Sequence, residues 1–182
     1  MKKLLLILLC LPFIGFGQNV YIPDVNFKSF LISSWSGVNT NGDSEIQISE
    51  ANAFSFSLNV GMLNISDLTG IEAFVNLTEF SCYGNQLTSI DLTQNTALTF
   101  LNCQDNQLLS LDLSQNSALD ILYCENNQLT SLNLNGAISL GAVWANYNQL
   151  TSLDLSTNVN LEVLEVTGNK LTSLDVSQNP VL

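Results

Sequence analysis

From Leu77 to Leu182 the chain repeats one pattern at a fixed period of 21 residues. Each copy reads approximately L-T-x-L-x-C-x-x-N-Q-L-T-S-L-D-L-S-x-N-x-x. The first three copies carry Cys82, Cys103 and Cys124 at one position, and all five carry an asparagine at another: Asn85, Asn106, Asn127, Asn148 and Asn169. A unit this short cannot bury an apolar face by itself. Stacked on its neighbours it can, so the period predicts one coil of a solenoid per copy.

Each copy contains the same motif twice. Leu77, Phe80, Cys82 and Asn85 are echoed by Leu87, Ile90, Leu92 and Asn95, giving two halves of the form L-x-x-φ-x-φ-x-x-N, with φ apolar. Alternate residues of a strand face opposite ways, so φ-x-φ buries two side chains and exposes the one between. The pattern predicts short parallel strands on both sides of each coil, with turns at the asparagines. An amide inside an apolar core must be hydrogen-bonded or it costs about 1–3 kcal/mol. The Asn85–Asn169 series therefore reads as turn-closing. So does the second series, Asn95, Asn116, Asn158 and Asn179, which Ala137 interrupts. Ala145 and Val166 replace cysteine in the last two copies, so the cysteines read as small buried hydrophobes. A solitary column also lacks the C-x-x-C pairing of zinc sites.

The residues before the repeats divide in two. Lys2 and Lys3, the apolar run Leu4 to Phe16 and the small Gly15 and Gly17 before Gln18 form a signal peptide over 1–17. Cleavage at Cys10, as in a lipoprotein, is disfavoured by the bulky Leu9 before it. The run is shorter than the about 20 residues that cross a bilayer. A secreted or cell-surface location follows, with no membrane insertion after signal removal. The bases remaining beyond the signal are Lys28 and Lys170, against sixteen acids and no histidine. That balance repels phosphate backbones and anionic headgroups, which excludes nucleic acid as a partner.

Residues 18–57 read as a helical N-terminal cap. Asp24 is placed to cap a helix whose apolar face is Phe27, Phe30, Leu31 and Trp35, and Ser49 to cap a second one through Ala51, Ala53 and Phe54. Between them Asn39-Thr-Asn-Gly-Asp-Ser-Glu-Ile-Gln-Ile-Ser-Glu50 has the spacing of an EF-hand-like calcium loop. Asn39, Asn41 and Asp43 would supply side-chain oxygens, Glu45 its carbonyl and Glu50 a bidentate carboxylate. Asn39 replaces the usual acid and Ser44 the usual glycine. Residues 58–182 form the solenoid, regular from 77, with Leu58 and Val60 as its first inward pair. Leu182 would be the first residue of a sixth copy, with no closing element after it, so the chain is expected to continue.

L-x-x-L-x-C-x-x-N-x-L resembles the leucine-rich-repeat signature. The nested 21-residue form with N-Q-L-T-S-L-D-L-S resembles secreted leucine-rich-repeat proteins of Bacteroidetes. Ile65-Ser-Asp-Leu-Thr-Gly-Ile71 with Asn76-Leu-Thr78 is similar to internalin-type repeats. The resemblance implies a mainly β leucine-rich-repeat solenoid, behind a small EF-hand-like cap, that binds other macromolecules at a cell surface. It also implies a C-terminal sorting domain beyond Leu182, and a cap loop that resembles an EF-hand without holding calcium.

Function is expected where the copies disagree. On the first half-repeat three outward columns vary: Glu79, Phe100, Ile121, Ala142, Val163; Ser81, Asn102, Tyr123, Trp144, Glu165; and Tyr83, Gln104, Glu125, Asn146, Thr167. Tyr83, Phe100, Asn102, Tyr123, Glu125, Trp144 and Glu165 form the candidate binding face, for a protein or a glycan. Cross-strand packing that merely stabilises the sheet is the competing reading of its aromatics. The opposite half is monotonous, with serine at 89, 110, 131, 152 and 173 and aspartate at 91, 112, 154 and 175, and reads as a solubilising surface. With no histidine and no thiol in a charged setting, no nucleophile has an evident base, so a non-enzymatic recognition module is expected. The alternatives are a spacer or adhesin segment of a longer surface protein, or a calcium-binding cap module.

Overall fold

The computed structural model describes residues 18–182; the expected signal peptide, 1–17, lies outside the described residues. Two helices come first, α1 (Val25–Ile32) and α2 (Ile48–Ala53), followed by a single 3₁₀ turn at Ile71–Ala73. The strands are β1 (Ser57–Asn59), β2 (Glu79–Ser81), β3 (Phe100–Asn102), β4 (Ser110–Asp112), β5 (Ile121–Tyr123), β6 (Ser131–Asn133), β7 (Ala142–Trp144) and β8 (Val163–Glu165). Every ladder between them is parallel. The molecule is a mainly β parallel solenoid with few helices.

One side of the coils carries a six-stranded sheet in the order β1-β2-β3-β5-β7-β8, and the other a two-stranded sheet, β4-β6. The repeat predicts strands on both sides of every coil, but on the second side a ladder forms only at Ser110–Asp112 against Ser131–Asn133. On the first side the pairing is in phase with the repeat: Leu101 lies opposite Leu122, and Leu122 opposite Val143. The apolar positions thus stack into continuous internal columns, with Leu77, Leu98, Leu119, Leu140 and Leu161 all fully buried. Cys82, Cys103 and Cys124 are free thiols in the same core. Burial and the neighbouring Glu125 carboxylate push the Cys103 thiol up to about 12. These thiols stay protonated and act as small apolar side chains.

The first asparagine column ties each coil to the one before it. The Asn127 amide donates to the carbonyls of Cys124, three residues earlier, and Cys103, in the preceding coil, while its Oδ1 accepts the Leu108 N–H at 3.0 Å. Asn85, Asn106 and Asn148 repeat this arrangement. The second column uses its donors alone. Asn116 donates to Leu92 and Asn95, and Asn158 donates to Leu134 and Ala137, so the turn survives where Ala137 lacks an amide.

The aspartate column of the second side has a structural task that sequence reasoning missed. Asp91, Asp112, Asp154 and Asp175 each accept the backbone N–H two residues on, from Thr93, Ser114, Ser156 and Ser177. These are Asx turns, which reverse the chain at the end of each second half. The Thr93 and Ser114 backbone bonds hold Asp91 and Asp112 below the usual carboxylate range.

At the N-terminal end Asp24 caps α1 as expected, accepting from Asn26 and Phe27. Its second oxygen accepts from Ser66 N and Oγ and from Asp67 N, joining the cap to the first coil. Two expectations need correction. The helix ends at Ile32, so Trp35 falls beyond its apolar face and is 91% exposed. The N-cap of α2 is Gln47 rather than Ser49, because the Glu50 carboxylate folds back onto the Gln47 N–H.

Replacing Asn127 by alanine leaves the buried Leu108 N–H without its partner and takes one of two amide donors from each of the Cys103 and Cys124 carbonyls, and is expected to cost about 2 kcal/mol in urea unfolding. Alanine at the exposed neighbour Gln128 should change stability by less than about 0.5 kcal/mol. Equal effects of the two changes would contradict the turn-closing role.

Candidate functional site

The three variable columns lie on the six-stranded sheet, at the outward positions of β2, β3, β5, β7 and β8 and just past their ends. Register places Tyr123 opposite Trp144 and Trp144 opposite Glu165. The Tyr123 and Trp144 rings stack face to face, with centroids 4.4 Å apart and planes 4° from parallel. That distance is close to the strand spacing of about 4.8 Å, so the backbone ladder itself delivers the stack. Phe100, one column over, meets Tyr123 with ring centroids 5.8 Å apart and planes tilted by 48°. All three rings are half-buried.

The remaining expected residues divide. Asn102 uses its Oδ1 on the Gln104 N–H, a local turn contact. Tyr83 lies over Gly61, where any Cβ would collide with its ring, so it packs the first coil rather than joining the aromatic row. Glu165 accepts a hydrogen bond from the Asn146 side-chain amide at 2.7 Å, which holds its carboxylate on the sheet face beside Trp144. Glu125 is half-buried, and its Oε2 is covered without a hydrogen-bond partner. Burial raises its carboxyl above the usual carboxylate range, and the nearby Asp105 and Glu165 charges add to this.

Sequence reasoning missed a fourth column. The third residues past the ends of β2, β3, β5, β7 and β8 are Gly84, Asp105, Asn126, Tyr147 and Gly168, all with positive φ between 53° and 73°. Glycine, asparagine and aspartate tolerate that region, whereas an aromatic side chain there is an outlier. Tyr147 is nevertheless 62% exposed with φ 55°. Its ring rests against Gly168, close enough that a Cβ there would lie 2.7 Å from Cδ1. It adds a fourth aromatic to the margin of the face. The signal available in the sequence is its misfit in a column otherwise filled by Gly, Asp and Asn.

The cap loop does not fit the calcium expectation. Both oxygens of Glu50 are taken by the protein's own donors: Thr40 N at 2.7 Å, Thr40 Oγ1 and Asn41 N on one, Gln47 N on the other. Asn39 Oδ1 accepts from Gly42, Asn41 Oδ1 from Asp43, and Asp43 Oδ1 from Glu45. The Glu45 carboxylate pairs with Lys28 at 2.8 Å. N–H groups thus point at the carboxylate an ion would need, and the loop closes on itself.

Repeat length, internal asparagines and stacked parallel strands define a parallel β-solenoid of the leucine-rich-repeat class. No protein-family model matches the chain. Over 78 residues it is 37% identical to Internalin J of Listeria monocytogenes serotype 4b (strain F2365), a stretch covering 43% of this chain and 8% of that protein. The solved internalin InlF of the same organism gives a TM-score of 0.74 at 22% identity, over 91% of this chain and 49% of that one. The functional domain of InlJ from L. monocytogenes, described as including a cysteine ladder, gives 0.54 at 24% identity, over 91% and 50%. A leucine-rich-repeat protein of Leptospira interrogans gives 0.65 at 24%, over 74% and 37%. The chain therefore has homologues among internalin-like leucine-rich-repeat proteins, and it spans half or less of the length of each of these.

Because its folded-state pKa is raised, Glu125 weakens the fold once ionised: its favourable contribution is present below the unfolded pKa and lost as pH rises through the folded value. Glu125→Gln should therefore raise the thermal midpoint at pH 7, with the gap closing as pH falls through that value. A gap independent of pH would contradict the burial of its charge. Since Glu50 is occupied by the loop, millimolar calcium should leave the thermal midpoint unchanged; a rise of several degrees would show that the loop reopens around the ion.

Proposed function

We propose that the chain is a non-enzymatic, exported recognition module that binds a protein or glycan at a cell surface through the variable face of its six-stranded sheet. One observation carries this reading. Phe100, Tyr123 and Trp144 form a contiguous, half-exposed aromatic row at positions where the other copies carry unrelated residues. Rings that the scaffold required would recur with the repeat, as the core leucines do. Rigid aromatics with few rotatable bonds are favoured anchors in recognition surfaces. Leucine-rich-repeat folds commonly mediate protein binding, which supports the same assignment, although fold alone does not fix a partner. No helix among the described residues is long and apolar enough to cross a membrane. The opposite side offers serines and turn-closing aspartates, a uniform surface with little to read.

Capture from host-cell and bacterial surface extracts separates the two sides of the coil. A Phe100→Ala, Tyr123→Ala, Trp144→Ala variant that remains folded by circular dichroism should lose the partner retained by wild type. Alanine at Ser110, Ser131 and Ser152 should leave capture intact. Unchanged capture by the aromatic variant would transfer the function elsewhere.

A further inference from the structure

The recognition reading leaves the chemistry of the partner open, and the surroundings of Trp144 narrow it. One face of the indole is covered by Tyr123. The next position in that column is a carboxylate, Glu165, directly in register with Trp144 on the adjoining strand. The Asn146 amide pins one oxygen of that carboxylate. Two residues past Tyr123, on the same side of the strand, Glu125 holds an oxygen that is covered and unpartnered. A stacked aromatic surface, a fixed carboxylate directly beside it and a second, half-buried carboxylate with no cation paired to it favour the same ligand: a planar cation with several N–H groups.

The charge around them agrees. Glu79 and Asp105 lie at or just past the strands of this sheet, and Asp120 and Glu162 lie in the turns that lead into β5 and β8. The one base of the solenoid, Lys170, is turned toward Gln149 in the neighbouring turn. A sugar would find rings to stack on, but it brings no positive charge to offset these acids. A guanidinium stacks on aromatic faces and presents a fork of donors to carboxylates, which an ammonium does not do as well. Resting on the recognition reading above, we infer that the face between Tyr123, Trp144, Glu125 and Glu165 receives an arginine side chain of a basic protein partner.

The chain's two tryptophans are Trp35 and Trp144, so in a Trp35→Phe background fluorescence reports on the site alone. Titration with a hexa-arginine peptide should give a saturable change in Trp144 emission. Glu125→Gln with Glu165→Gln should weaken that response at least tenfold, and raised salt should weaken it further. A hexa-lysine peptide of equal charge should respond at least threefold more weakly, and a neutral hexasaccharide of glucose should not respond. Equal responses to the arginine and lysine peptides would reduce the site to general attraction and overturn the inference. So would an arginine response that survives the double substitution. A response to the hexasaccharide alone would overturn the arginine assignment and leave the recognition face standing. Silence toward every probe would also overturn the arginine assignment, while the recognition reading is decided separately by the capture experiment.

Discussion

The amide of the first asparagine column is the contact on which the rest of the structure depends. A coil of 21 residues with one three-residue strand, or two in the coils of β4 and β6, has little secondary structure of its own, and its turns leave carbonyls and N–H groups facing an apolar interior. Each asparagine of the column answers both kinds at once, donating to carbonyls of its own and the preceding coil and accepting an N–H from the preceding coil. That reciprocity fixes the rise from coil to coil. With the rise fixed, register follows, and with register the outward residues of successive copies come to lie side by side at strand spacing.

The aromatic face is a consequence of this regularity. Tyr123 and Trp144 are stacked because their coils are stacked, and no contact dedicated to them is required. The scaffold spends its repeated positions on cohesion: leucines and small thiols inside, asparagines in the turns, and aspartates closing Asx turns on the far side. What remains free to vary is one sheet surface, and there the chain has collected aromatics and acids together. Tyr147, held in a backbone region that suits glycine, extends that collection at a local conformational cost.

Much of this was legible in the sequence, because a period of 21 imposes the same burial on every copy. The inward leucines, the cysteine column, the asparagine turns and the aromatic cluster all follow from alternation and repetition. The failures have local causes. The second-side strands reach a ladder only at β4 and β6, although every copy carries the same φ-x-φ pattern. The aspartates looked like a solvated row because an Asx turn leaves them exposed while using one oxygen. The packing of Tyr83 over Gly61 was not legible, because Gly61 belongs to the irregular first coil, where alignment to the repeat gives no guide. The cap loop has calcium-loop spacing, yet Glu50 turns inward to backbone donors, a choice that depends on three-dimensional closure rather than on residue type.

On the proposed reading, the variable sheet face, and not the uniform side or the cap, is the surface this solenoid presents to a partner. Selection of binders from a random peptide display library on the immobilised chain tests that placement directly, whatever the partner is. The selected peptides should be enriched in arginine, lose binding to Trp144→Ala and keep it to Ser131→Ala. A pool that binds the Trp144→Ala chain as well as the wild type would contradict it.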